Sequence, residues 1–390
     1  MAAEQRRPLY RELEALRGHP VIAYVTSARA GAAGSIAGDS VAELLLQLDQ
    51  LPSSTKELDL LLVSNGGDPT VAWRIVSLIR ERVSRFSVLI PQAAFSAATL
   101  IALGADEIVM HPHGNLGPTD PQITHRKPPS KDGAGQAVGF GAEDLAAFLR
   151  FAKDNVGLTD QKQLLSVFNH FCEEVGSVAI GVAARSTQLT VSMGEKLLQL
   201  HMRADADKAK ARAISEKLTR DFFHHGYPVS RSEAAVIGLP IADRNHAVER
   251  LMWAIWSSMS EELKLREPVN DMGMIFANPN AAPLFGSLPH FVVPAPNGGQ
   301  AVAAQPPIIE VPPTEFELTH ALMESARLAT SFVTNGLLFA SRLPDQNYRL
   351  SKIIKQQGWI TANMVAEPRI APIVPRVTRS VRRSVAKGAK

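Results

Sequence analysis

The residue with the clearest chemical potential is Ser96, which lies where an apolar, strand-like run gives way to a helix rich in small residues. The stretch Phe86–Gly104 reads FSVLIPQAAFSAATLIALG, and Pro91 separates its two halves. A serine at such a turn faces the first free N–H groups of the helix, where the helix dipole favours negative charge. That position suits a nucleophile, although a lone serine there is more often a buried structural residue.

A second element that could take part in chemistry is the glycine pair Gly66 and Gly67, within the loop SNGGDP that follows an apolar run. Paired glycines reach positive φ angles and let a ligand approach the backbone N–H groups. The loop lacks the spacing of a phosphate-binding loop. Since parallel strands end at the same edge of a sheet, the N–H groups of Gly67 and Ala97 could converge on one oxygen as an oxyanion hole. A plain strand-to-helix turn is the alternative.

Alternating strands and helices must position these two loops. The hydrophobic pattern predicts buried strands at 20–27, 57–63, 86–90 and 107–110, and helices at 9–17, 40–51, 70–83 and 96–103. Strand and helix follow one another at close spacing, which is typical of parallel βαβ units. The predicted fold class is therefore α/β.

The composition is that of a soluble globular protein. The chain has 390 residues, of which 45% are hydrophobic and 20% charged, both ordinary values. The single cysteine, Cys172, excludes an internal disulfide and a multi-cysteine zinc site. No signal peptide or transmembrane segment is predicted, so we expect a cytoplasmic protein. The histidine spacing is not a zinc signature, and we expect neither a metal nor a cofactor.

Charge and composition divide the C-terminal third of the chain into three segments. Residues 266–314 are rich in Pro, Ala, Asn and Gly and are predicted to be a linker. Residues 315–366 are predicted to be a helical extension, because 316–343 reads as one or two amphipathic helices. The tail 367–390 carries seven of the basic residues of a chain whose net charge is +3. Such a tail can contact an acidic partner or nucleic acid, or can simply be a solvated end.

Several of these segments together resemble a known family. SNGGDPTVAWRIVSLIR and AAFSAATLIALGADEIVMHPHGNLGPTDPQI are similar to the serine dehydrogenase proteinase family of ClpP/SppA-type serine peptidases. PVIAYVTS upstream and HHGYPVSRSEAAVIGLPIAD downstream extend the resemblance over roughly residues 9–259. It implies a ClpP/crotonase-like spiral of βαβ units with added helices and a partly disordered C-terminal extension. Residues 1–265 are then the peptidase domain.

The resemblance also implies roles for particular residues. Ser96 matches the nucleophile of the family, Gly66 and Gly67 match its oxyanion loop, and the N–H of Ala97 matches the second oxyanion donor. The stretch 116–122 matches a segment that borders the substrate groove. A cytosolic, ATP-independent peptidase that acts on peptides or unfolded proteins as a homo-oligomer is expected, since the sequence has no Walker A motif.

The base that would activate Ser96 is less well defined by the sequence. ClpP-type enzymes use a histidine and an aspartate, whereas SppA-type enzymes use a lysine. The ClpP-type histidine would fall near Thr119 or Asp120, so a Ser-His-Asp triad of that pattern is not expected. Of four candidate lysines we favour Lys153, which follows a half-buried helix, and a solvated helix-end lysine is the alternative. The four candidates are Lys127, Lys131, Lys153 and Lys162.

Two other functions stay open at this point. One is a catalytically inactive, peptidase-like scaffold that binds peptide in its groove and partners through its C-terminal region. The other is a crotonase-like acyl-CoA enzyme, which uses two backbone N–H groups for a thioester enolate. That enzyme would not need Ser96, so replacement of this serine discriminates between the enzymatic readings.

Overall fold

The computed structural model of the chain describes residues 2–126, 137–285, 292–293, 302–303, 308–343 and 347–361. The helices within these ranges are α1 (Ala2–Arg17), α2 (Ser40–Asp49), α3 (Pro69–Arg82), α4 (Ala97–Leu103), α5 (Ala142–Arg150), α6 (Gln161–Val175), α7 (Ser177–Gln199), α8 (Asp205–Arg220), α9 (Arg231–Ile237), α10 (His246–Glu262) and α11 (Asp271–Ala277). A π-helical turn, Phe151–Asn155, follows α5, and a 3-10 turn spans Ala282–Phe285.

The strands of the same ranges fall into one large sheet and three two-stranded ladders. They are β1 (Val21–Thr26), β2 (Glu57–Val63), β3 (Arg85–Ile90), β4 (Ala93–Ala94), β5 (Glu107–Met110), β6 (Asn115–Leu116), β7 (Gln122–Arg126), β8 (Ala137–Gly141), β9 (Val292–Val293), β10 (Val302–Ala303), β11 (Ile309–Ser325), β12 (Ala329–Arg342) and β13 (Tyr348–Thr361).

The large sheet has seven strands in the order β13-β12-β11-β1-β2-β3-β5. Its strands β1, β2, β3 and β5 are parallel, and they are connected by α2, α3 and α4. These parallel strands are buried over nearly their full length, as expected where helices cover both faces of a sheet. The predicted α/β fold of parallel βαβ units is confirmed.

The core lies on both faces of this sheet, and successive residues of β1 divide between the faces. Val21, Ala23 and Val25 pack in the cluster formed with α1 and α10, whereas Ile22 and Tyr24 pack in the cluster formed with α2, α3, α4, α7 and α8. This alternation follows from the two-residue period of a strand. The sheet is therefore packed against helices on both faces, and the loops at its strand ends start from well-packed strands.

The C-terminal region differs from the sequence prediction. The predicted helical extension at 315–366 forms the antiparallel strands β11, β12 and β13 over its described residues. Strand β11 pairs antiparallel with β1, with Ser325 opposite Ile22 and Ala321 opposite Thr26. The predicted linker also contains α11 and the first residues of β11. The described part of 309–361 thus completes the main sheet, and the basic tail 367–390 lies outside the described residues.

The reason for the error is visible in the burial of β11. Phe316 and Leu318 are buried while Glu315 and Glu317 are exposed, an alternation with the period of a strand. The Leu, Ala, Met and Glu content of this segment favours helix by intrinsic propensity. Pairing with the free edge of β1 overrides that local preference, because strand formation depends strongly on tertiary context.

A buried ion-pair network joins α1 to α10 and to β11. Arg6 of α1 donates from Nε to Glu324 of β11 at 2.6 Å, and both side chains are at most 2% exposed. Arg6 also pairs with Glu262 at 2.5 Å, and Tyr10 donates its hydroxyl to Glu324 at 2.8 Å. Burial raises the pKa of Tyr10 well above its usual value, so its hydroxyl stays a donor.

None of the described helices combines the length and the apolar character that a membrane span requires.

Candidate active site

Ser96 occupies the N-cap position of α4 in an unusual backbone conformation. Its φ is 54° and its ψ is −117°, and its side chain makes no capping hydrogen bond. Positive φ in a residue with a Cβ atom is uncommon and is maintained only where the surroundings determine it. Ser96 is half-buried, whereas the helix that follows is fully buried. The turn therefore presents the serine hydroxyl at the surface of a rigid core.

Backbone hydrogen bonds hold the Ser96 turn from both sides. The N–H of Phe95 donates to the carbonyl of Ser64 at 2.9 Å, and the N–H of Leu100 donates to the carbonyl of Ser96 at 3.1 Å. The hydroxyl of Thr99 contacts the carbonyl of Ala94 at 2.7 Å. The Ser96 turn is thus fixed to the end of β2 as well as to its own helix.

The predicted glycine loop lies directly beside Ser96. Gly66 and Gly67 have φ values of 110° and 153°, in the region that favours glycine. A Cβ atom built on Gly66 would lie 2.7 Å from the Cβ of Ser96. The Gly66 N–H donates to the hydroxyl of Ser64 at 3.0 Å, which in turn accepts from the hydroxyl of Thr26 at 2.8 Å. The sequence has glycine here because the backbone must approach the serine closely.

The hydrogen bonds around Ile36 set the direction of the Gly67 N–H. The N–H of Ile36 donates to the carbonyl of Gly66 at 2.8 Å, and its carbonyl accepts from the N–H of Asp68 at 2.9 Å. In a parallel bridge of this kind the N–H of the intervening residue, Gly67, is directed away from the partner strand. Ala97 is the first residue of α4, so its N–H has no intrahelical partner. These are the two N–H groups predicted to be oxyanion donors.

Asp68 fixes the other end of the glycine loop. Its carboxylate caps α3 by accepting from the N–H of Thr70 at 2.7 Å, and the Thr70 hydroxyl donates to the same oxygen. These two hydrogen bonds lower the pKa of Asp68 below its usual value, and the one from the Thr70 hydroxyl has the larger effect. The carboxylate is therefore a stable, charged cap, and the loop between β2 and α3 has a defined path.

Ser96 opens into a cavity of about 360 Å³. The cavity is lined by the glycine loop at Gly67, by the segment after β6, by residues of α7 and by His225. The sequence-predicted groove segment 116–122 thus contributes Thr119, Pro121 and Gln122 to this cavity. Within the described residues, no group of three or more His, Cys, Asp or Glu side chains is arranged to hold a metal ion.

The structure brings His225 to this cavity, a residue to which the sequence analysis gave no role. His225 Nδ1 lies 2.8 Å from Oδ1 of Asp120, and the two side chains are 34% and 13% exposed. The signal was present in the sequence, since HHGYPVSR and GPTDPQI both belong to the segments that carry the family resemblance. A second cavity of about 350 Å³ is lined by both Asp120 and His225, and His225 thus borders both cavities.

The predicted base, Lys153, lies in the π-helical turn that follows α5. Its side chain is exposed, and it does not contribute to the described lining of the Ser96 cavity. Lys162 is exposed at the start of α6, and Lys127 and Lys131 lie outside the described residues. The role of Lys153 stays a prediction, and it lacks the desolvation on which a neutral lysine base depends.

The N-terminal part of the chain is similar to a known protein family. Residues 3–133 match the family model of ClpP-like SDH-type serine proteinases. Two uncharacterized proteins of Methanocaldococcus jannaschii are 26% and 25% identical over 199 residues, which is 51% of this chain. The matched region covers 56% and 58% of those two proteins, so the chain spans a little over half the length of these curated relatives.

Two solved structures of the membrane-bound stomatin-specific protease 1510-N also match. One is a mutant, and the other is a second mutant in complex with a substrate peptide. Both are 15% identical with a TM-score of 0.32, and the match covers 58% of this chain and 81% or 77% of theirs.

The matched residues contain both loops of the candidate site. Ser96, Gly66, Gly67 and Ala97 all fall within 3–133, whereas His225 lies beyond the match. The resemblance read from the sequence is confirmed: over residues 3–133 this chain is similar to the ClpP-like SDH-type serine proteinases.

Proposed function

We propose that this chain is a serine endopeptidase that cleaves peptide bonds through an acyl-enzyme formed on Ser96. The observation that carries the proposal is the conformation of Ser96, held at positive φ beside the Gly66 backbone and open to a cavity. Backbone strain at a polar residue in a cavity is characteristic of catalytic positions. The match to a serine proteinase family over the same residues supports the same reaction class.

The chemistry follows from the arrangement of the two loops. The Ser96 hydroxyl oxygen attacks the peptide carbonyl carbon, and negative charge develops on the carbonyl oxygen. The N–H groups of Gly67 and Ala97 donate hydrogen bonds to that oxygen in the proposed complex. Each donor of this kind typically contributes about 10²-fold to 10³-fold to kcat. The carbon–nitrogen bond then breaks, and the amine leaves with the proton that the serine gave up. Water attacks the resulting ester, releases the acid and returns a proton to Ser96.

The proposed substrates are peptides and unfolded segments of proteins. Two cavities of about 360 and 350 Å³ adjoin one another, since His225 and Gln122 line both of them. Side chains on both sides of a scissile bond could occupy them if an extended chain passed over Ser96. The family resemblance further supports a cytoplasmic homo-oligomer without an ATPase of its own.

Hydrolysis of a denatured, fluorescently labelled protein tests this proposal. The full chain should release small fluorescent peptides, and Ser96→Ala should lower kcat by about 10⁴-fold or more. Ser186→Ala is the matched control, because Ser186 lines the same cavity from α7. It should retain most of the activity. Equal activity of Ser96→Ala and the wild type would refute the proposal.

An inactive, folded wild type would also refute the peptidase function. Binding of a denatured protein without cleavage would then favour the scaffold, and retention of acyl-CoA thioesters by both the wild type and Ser96→Ala would favour the crotonase-like enzyme. The three functions are therefore separated by one set of variants.

A further inference from the structure

The loop between α8 and α9 carries an aromatic side chain that the packing of the fold does not account for. Phe223 is 89% exposed, and its backbone has a φ of 55°. A positive φ is a genuine outlier for a bulky residue and costs free energy. The exposed ring gains almost none of the stabilisation that burial of a phenylalanine provides. Strain and exposure at one residue call for a role outside the fold itself.

The rest of this loop is well anchored, so the position of Phe223 is defined. The preceding residue, Phe222, packs against the main core cluster, and its ring lies 4.9 Å from that of Tyr227. Further on, the N–H of Val229 donates to the carbonyl of Leu116 at 2.8 Å, and the reverse hydrogen bond is 3.0 Å long. These contacts hold both sides of the loop and leave the Phe223 ring projecting from it.

Phe223 lies beside the candidate active site. It contributes to the lining of the second cavity, whose volume is about 350 Å³. Gln122 and His225 belong to the linings of this cavity and of the Ser96 cavity alike. A polypeptide that passes over Ser96 can therefore extend from one cavity into the other and contact the Phe223 ring.

The charged groups in the described lining of the second cavity are engaged with one another or with the backbone. Glu143 lies 3.9 Å from Arg150 and 3.9 Å from Arg220. Asp144 accepts a backbone N–H at the start of α5 at 2.7 Å. Asp120 lies 2.8 Å from a histidine ring nitrogen. A charged ligand would have to compete with these contacts, whereas an apolar one would not.

Apolar surface is available in the same lining. Pro118, Ala147 and Phe222 contribute to it together with Phe223. An aromatic ring packs well against aliphatic side chains and against the faces or edges of other rings. The second cavity thus offers an apolar contact to one side chain of a bound polypeptide, with Phe223 as its most accessible part.

We propose that Phe223 is a substrate-binding residue, whose ring packs against a large apolar side chain of the polypeptide in the second cavity. Leucine, methionine and aromatic side chains fit this description. The proposal rests on the proposed function of Ser96 and adds a specificity-determining contact away from the bond that is cleaved. The strained backbone at Phe223 then serves to hold the ring out of the core and available to the substrate.

The test compares variants of the full chain by KM and kcat on a denatured, fluorescently labelled protein and by the labelling rate with a fluorophosphonate. Phe223→Ala should raise KM by about 10-fold, because the apolar contact is lost. The labelling rate and kcat should stay within about twofold of the wild type, since the small reagent needs only the nucleophile. Val236→Ala is the matched control. Val236 is 84% exposed on α9 and lies outside the described linings of both cavities.

Two further variants separate the ring from the backbone strain. Phe223→Gly removes the ring and relieves the strain, because glycine adopts positive φ readily. It should raise the free energy of unfolding and yet raise KM as Phe223→Ala does, a combination that a purely structural role would not produce. Phe223→Trp keeps an aromatic ring and should keep the KM of the wild type.

The positions of the cleaved bonds give an independent readout. Mass spectrometry of the products should show large apolar residues enriched at one fixed distance from the cleaved bond. Phe223→Ala and Phe223→Gly should lose this enrichment, and Val236→Ala should retain it.

The two proposals fail in different ways. An unchanged KM and an unchanged cleavage pattern in Phe223→Gly, with hydrolysis that still depends on Ser96, would overturn the role of Phe223 and leave the peptidase function intact. A lower kcat with an unchanged KM in the same variant would also overturn it. A folded wild type that neither labels nor hydrolyses would refute the peptidase function itself.

Discussion

The backbone of Gly66 passes so close to Ser96 that a Cβ atom at position 66 would lie 2.7 Å from the Cβ of the serine. Real Cβ atoms do not approach so closely, and Gly66 has a φ of 110°, which side chains rarely adopt. The nucleophile and its neighbouring loop are therefore mutually dependent. Only glycine at position 66 allows both to keep their positions.

Gly66→Ala should consequently disable the site while leaving the fold largely intact. We expect kcat to fall at least about 10²-fold, because displacement of the loop moves the Gly67 donor. Gly18→Ala is the matched control, since Gly18 has a φ of 80° with no heavy atom within 4 Å of its built Cβ. Gly18→Ala therefore introduces the strain of a side chain at positive φ without a close contact to another residue. Similar activity of the two variants would contradict this account.

Ser64→Ala tests the support beneath the glycine loop. The Ser64 hydroxyl accepts from the Gly66 N–H and from the hydroxyl of Thr26, and all of these groups are buried. Its removal leaves buried donors without a partner, so the free energy of unfolding should fall by about 1–3 kcal/mol. We also expect kcat to fall with little change in KM. Chemical denaturation and steady-state kinetics measure the two effects, and an unchanged kcat would show that the loop does not need this support.

The buried pair of Arg6 and Glu324 should be among the most sensitive positions of the fold. Glu324→Gln leaves the guanidinium buried with weakened pairing, and a broken buried ion pair typically costs about 3–5 kcal/mol. The exposed pair of Arg250 and Glu12 provides the control, since its side chains are 70% and 53% exposed. Arg250→Gln should cost less than about 1 kcal/mol. Urea denaturation of both variants measures the difference, and equal losses would contradict the prediction.

The stability of the protein should depend on pH through His201. Burial lowers the pKa of this imidazole below its usual value, although its hydrogen bond to the Leu103 carbonyl opposes the shift. Below about pH 6.5 the unfolded state binds a proton that the folded state does not. The free energy of unfolding therefore falls as the pH decreases through this range.

Replacement of His201 isolates this contribution. The stability difference between the wild type and His201→Asn should become less favourable to the wild type between about pH 7.5 and about pH 5.5. Denaturant titrations at both pH values measure it. A pH-independent difference for His201→Asn would exclude the proposed linkage.

Removal of the C-terminal strands should destroy the fold. A chain ending at residue 308 lacks β11, β12 and β13, which leaves the edge of β1 and part of the core exposed. We expect this chain to be insoluble or unfolded, because exposed strand edges promote aggregation. A chain ending at residue 361 keeps these strands and should unfold cooperatively. A folded, active chain ending at residue 308 would contradict the view that the extension is part of the sheet.

The sequence was sufficient to predict an element where its local hydrophobic pattern agrees with its place in the folded structure. The strands β2 and β5 have the predicted bounds, because their apolar runs are buried on both faces and end at polar or glycine-containing loops. The positions of Ser96 and of the glycine loop followed from the same pattern. The family resemblance then gave these loops a function that their spacing alone could not.

The sequence was insufficient to predict contacts between segments that are far apart along the chain. The pairing of β11 with β1 joins residues about 300 positions apart, and local composition gave the opposite prediction of a helix. Similarly, His225 and Asp120 are 105 residues apart, and their contact depends on the packing of α8 against residue 119. No local pattern contains such information.

The central claim, that Ser96 is an activated nucleophile, is tested most directly by identifying the residue that a fluorophosphonate modifies. The folded full chain is treated with the reagent, digested, and the modified peptide is sequenced by mass spectrometry. The account predicts a single phosphonylated residue, Ser96, and no modification in Ser96→Ala. Modification of a different serine, such as Ser186 in the same cavity, or no modification of the folded wild type would contradict it.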